Sequence, residues 1–140
     1  MAGRESSKKP LTFRLSGSGA VHESVAAAHA FADAAGCDQA TSSRLAIVVE
    51  ELVTNLYDHG EVAPDEVFEL DLSVTAGQVR LALAAPGKRF DPTLSIVQSP
   101  SSAAGASAGL KLVKTWSTRL EYEYADGRNR LVAMLPMANR

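Results

Sequence analysis

Glu51 and Asn55 stand four residues apart in the stretch Glu51-Leu52-Val53-Thr54-Asn55-Leu56-Tyr57-Asp58-His59-Gly60. Residues four apart lie on one face of a helix. A carboxylate and a carboxamide sharing a face can work together. The carboxylate can accept a proton from an attacking group, and the amide oxygen can help hold a divalent cation against phosphate. The same spacing is common on solvated helix faces, so the pair takes its meaning from the elements around it.

Those elements follow from periodicity. Leu11 to Leu15 alternates as a strand does, and Ser16-Gly17-Ser18-Gly19 breaks it. Val21 to Ala35 has helical spacing at Val21, Val25, Ala28 and Ala32, with Gly36 suited to cap its C-terminus. Asp38 is a good N-cap for the next helix. Leu45, Val48, Val49, Leu52 and Leu56 form a core-facing stripe on that helix, with Glu51 and Asn55 on the flank of the stripe. His59-Gly60 ends it, with Gly60 expected in the left-handed cap conformation. Val67 to Val74 alternates, Ala76-Gly77 turns the chain, and Val79, Leu81 and Leu83 alternate again, which predicts a hairpin stopped by Pro86-Gly87. Residues 92–108 are rich in Ser, Ala, Gly and Pro and predict a lid-like loop. A short helix is expected over Gly109 to Trp116, then a second hairpin around Asp126-Gly127. Two hairpins with helices on one face make an α+β two-layer sandwich with a mixed, mostly antiparallel sheet.

The 140 residues fit one domain that can bury a core without disulfides. A net charge of −2 gives no basic surplus, which argues against general nucleic-acid binding. The single cysteine, Cys37, excludes an internal disulfide and reads as a small packed residue. Residues 1–9 are polar and read as a disordered tail rather than a signal peptide, and no apolar run is long enough for a membrane span. A cytoplasmic location is the default expectation.

The order of motifs says more than any one of them. A helix ending Glu-x-x-x-Asn-x-x-x-His-Gly precedes a hairpin that runs into Pro86-Gly87-Lys88-Arg89-Phe90-Asp91-Pro92. A Ser/Gly-rich loop then ends in Gly109-Leu110-Lys111-Leu112-Val113. Over roughly residues 10 to 137 this resembles the Bergerat-fold nucleotide-binding family of gyrase, Hsp90, histidine kinases and MutL. Within it, the chain looks most like the stand-alone bacterial anti-sigma-factor serine/threonine kinases. The resemblance implies a single histidine-kinase-like ATPase domain over residues 10–140 with a lid at about 92–108. It implies ATP and Mg²⁺ as cofactors, Glu51 as general base, and Asn55 as the Mg²⁺ ligand. His59 and Gly60 would close the helix beside the pocket, Gly87 would let the backbone approach adenine, and Phe90 would pack under the start of the lid. Gly109 and Leu110 would open the short helix, whose first N–H groups can face phosphate.

Two positions depart from the family pattern. Ala85 stands where the family's Asp-x-Gly motif has the aspartate that accepts from the adenine amino group, and Ser107 replaces the first glycine of the second motif. Gly105 would stand in for the latter through a shifted loop. A lost acceptor in a buried site costs on the order of 1–3 kcal/mol, roughly ten- to over a hundredfold in affinity. The resemblance therefore implies an ATP-using protein serine/threonine kinase that phosphorylates an antagonist protein, binds a sigma factor, or both. The alternative is a nucleotide-independent partner-binding module with a degenerate ATP site. The catalytic half of a split histidine-kinase-like system is a third option, weakened by the lack of an upstream phospho-acceptor helix pair. Relatives often dimerise through the sheet edge or first helix, which extends the expectation to a homodimer. Blander roles are expected elsewhere: His59 against the helix dipole, Lys88 and Arg89 in solvent, and Trp116, Tyr122 and Tyr124 as core or half-buried residues.

Overall fold

Alternation builds the sheet. The computed structural model describes residues 10–93 and 104–139, the side chains of residues 104–108 excepted. The chain runs β1 (Leu11–Leu15), α1 (Ala20–Ala34), α2 (Gln39–His59), β2 (Phe68–Thr75), β3 (Gln78–Pro86), α3 (Ala104–Trp116), β4 (Arg119–Ala125) and β5 (Arg128–Pro136). The five strands lie in the order β1-β2-β3-β5-β4, and each of these pairings is antiparallel. The architecture is the expected α+β one, but with no parallel pairing among the described residues. Both hairpins close on two-residue turns with positive φ at Ala76 and Gly77 and at Asp126 and Gly127. That matches the right-handed twist of the flanking strands.

Register stacks like with like. Phe13, Leu70, Leu83, Leu131 and Tyr122 line up across the sheet, as do Leu11, Leu72, Leu81, Ala133 and Leu120. These rows face the helices. Phe68, Leu70, Leu72, Val79 and Leu81 are fully buried against Leu45, Val48, Val49 and Val53 of α2. Each such side chain contributes roughly 1.5–3 kcal/mol by leaving water. The opposite rows carry Glu69, Asp71, Arg80, Glu121 and Arg130, the solvent half of a period-two pattern.

The helix ends are local chemistry. α1 stops at a glycine-capped turn: Cys37 N–H donates to Ala32 O, and Gly36 N–H to Asp33 O. Asp38 caps α2 by accepting from Thr41 N–H at 2.8 Å. Gly60 corrects an expectation. Its φ is −87°, an ordinary right-handed value, and the left-handed residue is Glu61 with φ 55°. The reversal thus falls one residue later, which turns the Gly60 carbonyl toward the loop after β3, where Lys88 N–H donates to it at 2.9 Å. The tail at residues 1–9 lies outside the described residues, and no described helix is long and apolar enough to cross a membrane.

The cap of α2 is testable through its charge. The Thr41 backbone N–H, then the Thr41 hydroxyl, and more weakly the Arg44 charge hold the Asp38 carboxyl below its ordinary value of 3.8. A lowered folded value means the stabilisation is fully present above the unfolded value and is lost as pH falls through the folded one. Asp38→Ala is expected to lower the melting temperature at neutral pH, with the gap to wild type narrowing in strong acid. Thermal denaturation across that range checks it, and a gap independent of pH contradicts it.

Candidate functional site

α2 buries its stripe in the sheet and carries Glu51 and Asn55 at the edge of that contact. Asn55 is buried, and its Nδ2 donates to the Glu51 carbonyl oxygen at 2.7 Å. With the nitrogen committed, the Oδ1 is the end left to accept or to ligate. Glu51 is half-buried, and burial first, then repulsion from Glu50 and Asp58, pushes its carboxyl above the ordinary range. A carboxylate held this way is a better proton acceptor than a solvated one.

α3 departs from expectation. It begins at Ala104, five residues before Gly109, so Gly109 lies in the helix interior with Gly105 inside the first turn. Five residues of the expected lid, 104–108, thus belong to α3. Residues 104–108 are helical, Pro92 and Thr93 begin a helical turn under Asp91, and residues 94–103 lie outside the described residues. The physical reason is propensity: Ala104, Ala106 and Ala108 favour a helix, and Ser107 extends one more readily than the glycine the resemblance puts at that position. Gly109 therefore has no free helix-start N–H to offer an anion. It abuts Glu51 instead, because a Cβ built on Gly109 would overlap the Glu51 carboxyl group. Leu110 points inward with Val113 and anchors the helix in the core.

The loop after β3 is clasped to the sheet. Gly87 has φ 135°, a value side chains avoid, and a Cβ there would collide with the Gly60 carbonyl oxygen. Its glycine thus serves the approach of the loop to the end of α2. Asn129, buried in β5, holds the loop from the other side. Its Oδ1 accepts from Phe90 N–H at 2.9 Å and from the Tyr122 hydroxyl, and its Nδ2 donates to Lys88 O at 2.7 Å. The Tyr124 hydroxyl donates to Gly87 O at 3.0 Å. Phe90 lies against His59, with ring centroids 5.3 Å apart. Asn55, His59, Gly60, Gly87 and Phe90 are thus gathered around the C-terminal end of α2, with Glu51 one turn before Asn55 and against Gly109.

Sequence reasoning missed Asn129 and undervalued Tyr122 and Tyr124. Two cues point to Asn129: asparagine is rare in strands, and it pairs in register with Ala85, one of the two positions that depart from the family pattern. Between these parts lies a cavity of about 20 Å³ lined by Leu52, Asn55, Leu56, Leu83, Phe90 and Asn129, among others. That is room for one water. The donor chemistry of Asn55 suits an oxygen-seeking divalent cation. A larger concavity lies on the helix-free face of the sheet, away from Glu51 and Asn55, among Asp71, Arg80 and Arg130.

Comparison with known proteins assigns the class. The family model of the histidine kinase-like ATPase domain matches residues 17–135. The chain belongs to that family. Among solved structures, it is similar to a chain of the SiaB–SiaC complex from Pseudomonas aeruginosa, with a TM-score of 0.70 and 15% identity over 96% of this chain and 95% of that one. It is also similar to the catalytic domain of the histidine kinase ThkA, with a TM-score of 0.55 and 11% identity over 94% of this chain and 99% of that one. The blue-light activated histidine kinase EL346 of Erythrobacter litoralis matches with a TM-score of 0.54 and 21% identity, over 72% of this chain and 32% of that one. Identities this low carry the fold. Curated protein sequences give no match.

The clasp yields a prediction. Asn129→Ala removes the donor to Lys88 O and the Oδ1 that Phe90 N–H and the Tyr122 hydroxyl share, leaving those two groups only each other at 3.2 Å. It is expected to cost about 1–3 kcal/mol of stability by urea denaturation, with faster amide exchange confined first to residues 87–90. Unchanged exchange there contradicts the clasp.

Proposed function

We propose that this chain is an ATP-dependent regulatory kinase of the anti-sigma-factor type, a single domain over residues 10–140 acting on a serine or threonine of an antagonist protein in the cytoplasm. The observation that carries the reading is the Glu51/Asn55 pair, a proton-accepting carboxyl and an oxygen ligand on one helix face, within a chain of the histidine kinase-like ATPase family. In this reading Glu51 accepts the proton of the acceptor hydroxyl, and Asn55 Oδ1 holds Mg²⁺, which when bound neutralises phosphate charge. His59, Gly60, Gly87 and Phe90 shape the base end, and Gly105, Gly109 and Leu110 border the phosphates. The likeness to a chain from a two-protein complex, SiaB–SiaC, supports a protein partner. We infer a small antagonist protein as that partner, with a sigma factor as a second.

The alternative is a partner-binding module with a degenerate nucleotide site. Ala85 favours it. Calorimetric titration with ATP and Mg²⁺ separates the two, and no heat at high protein concentration sinks the kinase reading.

Two substitutions sharpen the test. Glu51→Ala is expected to lower phosphoryl transfer to the antagonist by roughly 10²–10⁴-fold, the usual worth of a positioned base. Because burial raises the folded value, the acid limb of the pH–rate profile should lie above 4.5, with transfer falling as the carboxyl protonates. Ala85→Asp restores the missing acceptor. It is expected to tighten ATP binding about ten- to a hundredfold while lowering the stability of the nucleotide-free chain. Equal affinity for ATP in both proteins contradicts the adenine assignment of position 85.

A further inference from the structure

Charge is divided along this chain. Residues 15–79 hold eleven of its sixteen acidic side chains and one of its fourteen basic ones. They include α1, α2, the loop after α2 and β2. The one basic residue, Arg44, lies over the Trp116 ring of α3, its Cζ 5.6 Å from the centroid. The layer formed by α1 and α2 is therefore acidic, which the net charge of −2 for the whole chain conceals. A surface with one sign of charge attracts the opposite sign from a distance and rejects partners of its own sign.

A groove of about 310 Å³ lies in that layer, between the start of α1 and the end of α2. Val21, the Tyr57 ring and Pro64 wall it with apolar atoms, and Thr54 and Asp58 stand beside them. Asp58 is exposed, as is Asp65, which follows Pro64. Neither carboxylate makes an ion pair among the described residues. We propose that this groove is the docking site for a basic segment of a partner protein, one in which a large apolar side chain is flanked by lysine or arginine. The apolar side chain fills the space between Val21, Tyr57 and Pro64, and the flanking cations pair with Asp58 and Asp65. The proposal rests on the reading above only in taking a protein as the partner, and it needs neither nucleotide nor phosphoryl transfer.

Charge decides which class of occupant fits. Nucleic acid and anionic lipid surfaces are repelled by this layer. An apolar segment without charge would take water from Asp58 and Asp65 and give them no partner, which is costly. A segment that carries a cation beside its apolar side chain avoids that cost. The groove is also held in shape before anything binds. Val21 and Tyr57 pack against the core, and the Tyr57 ring meets Phe68 edge to face, with centroids 6.0 Å apart. Walls fixed in this way lose little freedom when a segment enters.

The experiment follows the amide chemical shifts of the full chain by NMR as a synthetic peptide is added, a leucine flanked by lysines with both ends blocked. Shifts are expected to centre on Val21, Thr54, Tyr57 and Asp58. Two control peptides, one with serine for the leucine and one with glutamate for the lysines, are expected to bind at least about tenfold more weakly. Asp58→Lys should weaken the lysine–leucine peptide about three- to tenfold, and so should Val21→Thr, which keeps the shape of the wall but makes it polar. The control peptides need no variant, so they decide the matter even where a substitution unfolds the chain. No shift at these residues with the lysine–leucine peptide at about 1 mM, or equal binding by the serine peptide, overturns the docking site. Shifts at the same residues when the protein alone is concentrated, or when Arg4, Lys8 and Lys9 are changed to serine, mean that a second copy or the chain's own first residues fill the groove, and they overturn the partner. Titration with ATP and Mg²⁺ decides the kinase reading separately. Loss of that reading leaves this test standing, and failure of the groove leaves the nucleotide site untouched.

Discussion

A helix has one face to give to a sheet, and α2 must use its own for two ends. Leu45, Val48, Val49, Leu52, Val53 and Leu56 take the sheet side, and they hold α2 to the apolar rows of β2, β3 and β5. The polar pair must then stand at the margin of that contact, where burial is partial. That margin sets the chemistry. Asn55 is buried enough that its amide nitrogen needs a partner and finds the Glu51 carbonyl. Glu51 is buried enough that its carboxyl is harder to ionise than in water, yet close enough to the surface to exchange a proton. Moving the stripe by one residue would rotate the pair by about 100°, into the core or into solvent.

The other parts of the site depend on where α2 ends. The left-handed residue at Glu61 directs the Gly60 carbonyl at the loop after β3, and Lys88 N–H takes it. Gly87 is glycine because that carbonyl is in its way. From the sheet side, Asn129 satisfies both a carbonyl and an amide of the same loop. A buried asparagine in an apolar row is costly unless each of its groups is paired, and here the pairs it makes fix the loop. The loop is thus held at two points, by the end of α2 and by β5, with Phe90 between them on the His59 ring.

Much of this was legible in the chain. Strand alternation, the stripe of α2, the Asp38 cap and both Gly-containing turns follow from nearest-neighbour geometry, and they appear where the residues put them. The order of Glu51, Asn55, Gly87 and Gly109 was enough to indicate the family. What was not legible depended on contacts between distant segments. Asn129 acquires a role only because β5 pairs with β3 and sets it beside Ala85 and the Lys88 backbone. The sign of φ at Gly60 depends on a loop that comes back nearly thirty residues later. The start of α3 was misplaced because Ser, Ala and Gly together suit both a loop and a helix, and the alanines at 104, 106 and 108 tip the balance to a helix.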